Sequence, residues 1–200
     1  MPVPSPGRAG ALPRWRRARR ACILLACAFV SLFALASQAK RHEVTEVRLF
    51  SALLYKFTHF AEWPPGMMAA EPDALSICVI ARDELAEVLE QDVRGRKSHD
   101  RVIEVRRLGS LTEAGTCHVL FVGWSTPSQI ENVIGLMGQL PTLVVGATEG
   151  FAHAGGMINL ERRGSRMAFE INRDAVDRSG IQLSSQLLKL ADLVDSPGTD

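Results

Sequence analysis

Apolar positions recur along this chain in two rhythms, one of three and four residues and one of continuous short runs. Between Glu43 and Glu62, Val47, Phe50, Leu54, Phe57 and Ala61 stand three or four apart and share one helical face. That helix must stop near Trp63, because Pro64-Pro65-Gly66 removes two amide donors and proline disfavours helical geometry in the residue before it. Leu75 to Ala81 is a short run rich in β-branched residues and reads as a strand; Asp83 then stands as a helix cap ahead of Leu85, Val88 and Leu89. A turn at Arg94-Gly95-Arg96-Lys97 leads to a strand through Val102, Ile103 and Val105, whose flanking charges suit a sheet edge. Cys117 to Gly123 and Thr142 to Gly146 are nearly unbroken apolar runs, as in strands covered on both faces. Between them Thr126-Pro127 opens a helix carrying Ile130, Val133, Ile134 and Met137.

After residue 150 the rhythm changes to alternation. Gly156 to Glu161 and Met167 to Ile171, joined by Arg162-Arg163-Gly164-Ser165, predict an antiparallel hairpin. Asn172 or Asp174 caps a short helix ending at Gly180, and the leucines at 187, 188, 190 and 193 predict a last helix from Ser184 to Val194. The whole reads as one compact α/β domain: a mixed, mostly parallel sheet, helices on both faces and a C-terminal antiparallel hairpin.

The N-terminus stands apart from this pattern. Arg8, Arg14, Arg16, Arg17, Arg19 and Arg20 precede an apolar stretch from Ala21 to Ala36 and then small residues, the layout of a cleaved export signal over residues 1–39, with the domain occupying 40–200. The apolar stretch of 16 residues falls short of the roughly 20 that span a bilayer. The expected location is the periplasm. Hydrophobic residues make up 46% of the chain and charged ones 22%, which excludes wholesale disorder. Six of the 23 basic side chains and none of the 22 acidic ones precede residue 40, so the remainder carries a net charge of −5. A mildly acidic domain with only short basic runs argues against nucleic acid as a partner.

Export changes the meaning of the cysteines. Cys22 and Cys27 leave with the signal, and Cys78 and Cys117 remain in a compartment that permits disulfides. One bridge is the natural pairing, with two buried free thiols as the alternative; a bridge closing this separation stabilises by about 4 kcal/mol on the loop-entropy argument. Catalytic chemistry is harder to find. The five histidines, at 42, 59, 99, 118 and 153, lack helical i, i+4 spacing or an acidic ligand set, so neither a metal nor another cofactor is expected. Gly123-Trp124-Ser125-Thr126-Pro127 lacks the last glycine of a nucleophile elbow, and the glycines from 146 to 156 match no phosphate loop. Glu170 alternates onto the strand face opposite Phe169 and Ile171, either as a solvated carboxylate or as a polar contact for a partner. A lone carboxylate is not a catalytic set, so an enzyme is not expected.

Several motifs in one order resemble the YfiR family of periplasmic regulators: Leu54-Tyr55-Lys56-Phe57 with Phe60 and Trp63-Pro64; Ile77-Cys78-Val79-Ile80; Cys117 to Gly123; Gly150-Phe151 with Gly155-Gly156-Met157-Ile158; Phe169-Glu170-Ile171-Asn172; and Ile181 to Leu188. The resemblance spans about Val47 to Leu193. It implies a repressor that binds the periplasmic region of an inner-membrane diguanylate cyclase, or of a sensor kinase, and keeps cyclic di-GMP and biofilm formation low. It also implies a Cys78–Cys117 disulfide. A second disulfide carried by some members is missing, since Ala152 and Asn159 stand in its place. The expected partner contacts are exposed apolar residues at Trp63, Pro64, Phe151, Met157 and Ile158, with Glu170 as the polar contact. A homodimer is compatible with these features, and a periplasmic small-molecule-binding sensor module is the alternative function.

Overall fold

A computed structural model describes residues 46–195 except 71, 125 and 165. The expected export signal lies outside the described residues. In chain order the elements are helix α1 over 46–60, strand β1 (Ala61–Glu62), α2 (Pro65–Ala70), β2 (Ala74–Ile80), α3 (Asp83–Asp92), β3 (Lys97–Ser98) and β4 (Arg101–Leu108). A 3-10 helix (Leu111–Thr116) follows, then β5 (Val119–Val122), α4 (Pro127–Met137), β6 (Leu143–Gly146), β7 (Ile158–Arg163), β8 (Arg166–Asn172), α5 (Arg173–Ser179), β9 (Gln182–Leu183), α6 (Ser185–Leu188) and β10 (Asp192–Val194).

Eight strands form one sheet in the order β10-β8-β7-β6-β5-β2-β4-β3. β4, β2, β5, β6 and β7 run parallel, β7 and β8 make the antiparallel hairpin, and β10 returns parallel to β8. The mixed, mostly parallel sheet and its hairpin match the expected fold class. β1 and β9 pair separately as a two-stranded ribbon.

The sheet buries both faces. On one, α1 sets Phe50 against Phe121 with ring centroids 5.8 Å apart and Phe57 edge-on to Phe169 at 5.5 Å. Glu46 meets Arg82 at 3.2 Å and Ser51 donates to Asp92 at 2.7 Å, so both ends of α3 are tied to α1 on that face. On the other, α4 lays Val133, Ile134 and Met137 beside Val144 and Met157. Burying one such aromatic or aliphatic side chain stabilises by about 1.5–3 kcal/mol. The nearly unbroken apolar spelling of β2, β5 and β6 follows from this double coverage.

Several boundaries differ from the sequence reading, each for a local reason. α1 ends at residue 60, because Ala61 and Glu62 pair with Leu183 and Gln182. Asp83 is the first helical residue of α3 rather than its cap. Cys117 terminates the 3-10 helix and β5 begins only at Val119. The last helix is a single turn capped by Ser184, whose hydroxyl accepts from the Leu187 amide; residues 192–194 instead satisfy their backbone along β8. β4 is next to the edge, flanked outside by the two residues of β3. The β3–β4 turn holds His99 and Asp100 at positive φ; the Ser98 hydroxyl and His99 Nε2 meet the Thr58 carbonyl in the last turn of α1, and His99 Nε2 also meets the carbonyl of Ala61 in β1. Among the described residues no helix is long and apolar enough to cross a membrane.

Candidate functional site

The residues expected to form an exposed contact surface are for the most part interior. Trp63 is 7% exposed, and Phe151, Met157 and Ile158 are at or below 2%. Only Pro64 is half-buried. The expectation of exposure is therefore corrected for these four, and packing supplies the reason. The Phe151 ring occupies the space a side chain would need at Gly146 and Gly156: a Cβ built at Gly156 would stand 2.2 Å from it. These two glycines read in sequence as a turn-rich stretch; they are the floor of an aromatic socket. Met157 and Ile158 alternate onto opposite covered faces of the sheet, the first beside the Val144 amide and the second in register with Val145.

Glu170 is buried rather than solvated. It accepts from Asn159 Nδ2 at 3.1 Å, and His153 Nε2 and Arg163 approach it at 3.7 and 3.8 Å. Arg163 bridges onward to Glu161 and Asp192, and Asp192 pairs in register with Glu170 across β8 and β10. The result is a charge cluster at the sheet edge, half-exposed at Arg163 and Asp192 and closed at Glu170. Leu190 and Leu193, exposed at 73% and 51%, flank it on the last turn and strand.

The disulfide is formed: Cys78 and Cys117 are bonded, with Cα atoms 5.9 Å apart and neither residue exposed. Cys78 sits in β2 and Cys117 at the end of the 3-10 helix, so the bridge clamps a crossover segment onto the sheet instead of joining two strands.

Sequence reasoning treated His118 only as a failed metal ligand. The structure places it at the centre of a polar constellation within the core. Trp63 Nε1 donates to its carbonyl at 3.0 Å and stacks edge-on to its ring at 5.5 Å. The Ser76 amide donates to Nδ1 at 3.1 Å, while the Ser76 hydroxyl donates to the Thr116 carbonyl. A backbone N–H can only donate, so Nδ1 is the acceptor and the neutral ring carries its proton on Nε2. Burial, reinforced by the Arg101 charge, pushes the imidazole pKa from 6.5 down to about 4 and keeps it neutral. Nε2 is buried with no hydrogen-bond partner. A lone histidine inside an otherwise apolar strand run was the available signal. Among the described residues no three His, Cys, Asp or Glu side chains gather as a metal site.

The constellations thus offer a clamped core, a charged sheet edge and an unpaired buried donor. A profile of the YfiR/HmsC-like family matches residues 48–192, from the first described turn of α1 to the first residue of β10, and the chain belongs to that family.

Proposed function

We propose that the protein is an exported, non-catalytic regulator that binds the periplasmic region of a membrane-bound diguanylate cyclase and holds it inactive, so that cyclic di-GMP stays low. The observation that carries this reading is the family match across the domain, residues 48–192, from the core helix through the hairpin. The export signal read over residues 1–39 and the Cys78–Cys117 bridge support an oxidising address. The contact surface is the β10 edge. Leu190 and Leu193 are large apolar side chains left exposed there, the sheet continues no further among the described residues, and Arg163, Asp192 and Glu170 supply polar partners alongside. An open sheet edge beside apolar anchors suits pairing with an extended segment of another chain. Glu170 keeps its place as the polar contact, reached beneath Arg163, while Trp63, Phe151, Met157 and Ile158 belong to the core.

The test is binding to the immobilised periplasmic region of a cyclase encoded in the same genome. The double substitution Leu190→Asp with Leu193→Asp is expected to weaken binding at least tenfold while leaving the melting temperature unchanged, since both residues are exposed. Full binding by that variant would move the contact elsewhere on the molecule. No binding by the native protein to any such region would overturn the regulatory reading.

A further inference from the structure

Beside His118 lies a cleft of about 250 Å³ lined by Met67, Ala70, Gly115, Thr116, His118 and Pro141. It lies just below the roughly 300 Å³ at which drug-sized pockets begin, so it suits a fragment-sized molecule. Its lining is mostly apolar; the polar side chains are Thr116, whose hydroxyl already accepts from Arg106, and the histidine whose Nε2–H is buried and unpaired. A second unpaired buried donor is Arg101 Nε, from a guanidinium whose other nitrogens donate to the carbonyls of Met68 and His99. Met68 follows the cleft residue Met67 in α2, so the cation stands against the helix that forms one wall. Buried donors left without acceptors are costly to the folded state, a cost that an acceptor supplied by a ligand would recover.

We propose that this cleft binds a small apolar carboxylic acid, one carboxylate oxygen accepting the Nε2–H of His118 and the hydrocarbon body lying against Met67, Ala70 and Pro141. An anion is favoured over a neutral acceptor because Arg101 is the charge acting on this histidine and no carboxylate lines the cleft. Nε2 is sealed in the unliganded molecule, so the ligand reaches it as a wall gives way. α2 is the wall least held: it has six residues and none of them is buried. The site uses neither the β10 edge nor Glu170, so it stands or falls independently of cyclase binding.

The experiment is an NMR titration of the exported protein, labelled on histidine and tryptophan, with hexanoate, and with acetate and 1-hexanol as controls. Hexanoate is expected to shift the His118 Nε2 and Trp63 indole signals saturably, with at least tenfold weaker binding by both controls, one lacking the apolar body and the other the charge. Gly115→Leu is the decisive variant. Gly115 lines the cleft and a Cβ built there meets nothing within 4 Å, so a larger side chain is accommodated at the cleft wall and is expected to compete with the ligand. It is expected to weaken hexanoate at least tenfold without loss of folded protein. His118→Phe keeps a ring in the core and removes the donor, with the same expected loss. No saturable shift in the native protein, binding unchanged in Gly115→Leu, or 1-hexanol binding as tightly as hexanoate would each overturn the proposal.

Discussion

The two ends of the sheet are held by different physics. Around β2 and β5 the chain is clamped by a buried disulfide and covered on both faces, and its polar groups, Ser76, His118 and Trp63, bond one another and the Thr116 carbonyl, with His118 Nε2 left over. At β7, β8 and β10 the outermost layer is a charge cluster around Arg163 with leucines open to solvent. Covalent and apolar terms act in the interior, where water does not screen them; exposed ion pairs contribute about 0–1 kcal/mol because it does. A regulator built this way keeps a rigid interior and leaves the adaptable surface at one edge.

Removing the bridge should break the contrast most visibly. Replacing Cys78 and Cys117 together by serine is expected to cost about 2–5 kcal/mol in urea unfolding, and to lower the amount of folded protein. Wild-type unfolding by that double variant would show that the crossover needs no clamp. Next comes Gly156→Ala, whose methyl must displace the fully buried Phe151 ring, with an expected loss of about 1–3 kcal/mol by the same measurement. The matching substitution Gly150→Ala meets no neighbour but sits at φ 78°, and its cost comes from the backbone alone, about 1 kcal/mol.

Acidification should separate the two ends without any mutation. The folded protein keeps His118 neutral down to about pH 4, whereas the unfolded chain takes up that proton near 6.5. The unfolded state therefore binds more protons in this window, and stability falls as the pH drops from 6.5 through 4, by up to about 3 kcal/mol. In His118→Phe that component of the pH dependence is expected to vanish. The smallest effect belongs to the rim: Arg163→Met is expected to leave the unfolding midpoint almost where it was, and raising the salt should shrink any difference further. A large drop in that midpoint would erase the distinction between edge and core.

How far the sequence revealed this arrangement follows the same division. The buried strands were legible, because coverage on both faces forces β5 and β6 into unbroken apolar runs and β2 into one broken only by Ser76, and so was the hairpin, whose alternation persists through Phe169 and Ile171. The cysteines could be paired because two remain once the N-terminal stretch is read as an export signal, although Cys117 follows a 3-10 helix that periodicity does not announce. The edge was misread. Leu187, Leu188, Leu190 and Leu193 have helical spacing, yet β8 offers a backbone ladder to residues 192–194, and tertiary pairing overrode the local pattern. The candidate contacts failed on exposure: nothing in the spelling of Phe151 or Met157 tells that glycines at 146 and 156 open a socket beneath the sheet face. His118 was passed over for a related reason, since its role depends on Ser76, a residue 42 positions away that captures one ring nitrogen and leaves the other unpaired.

The most direct test of the regulatory account is the cyclic di-GMP content of cells lacking the gene, measured by mass spectrometry beside cells complemented with the native protein and with the Leu190→Asp, Leu193→Asp variant. The account predicts a rise on deletion, reversal by the native protein and no reversal by the variant, with both proteins present at equal folded levels. Unchanged cyclic di-GMP on deletion, in cells that carry the membrane cyclase, would contradict it.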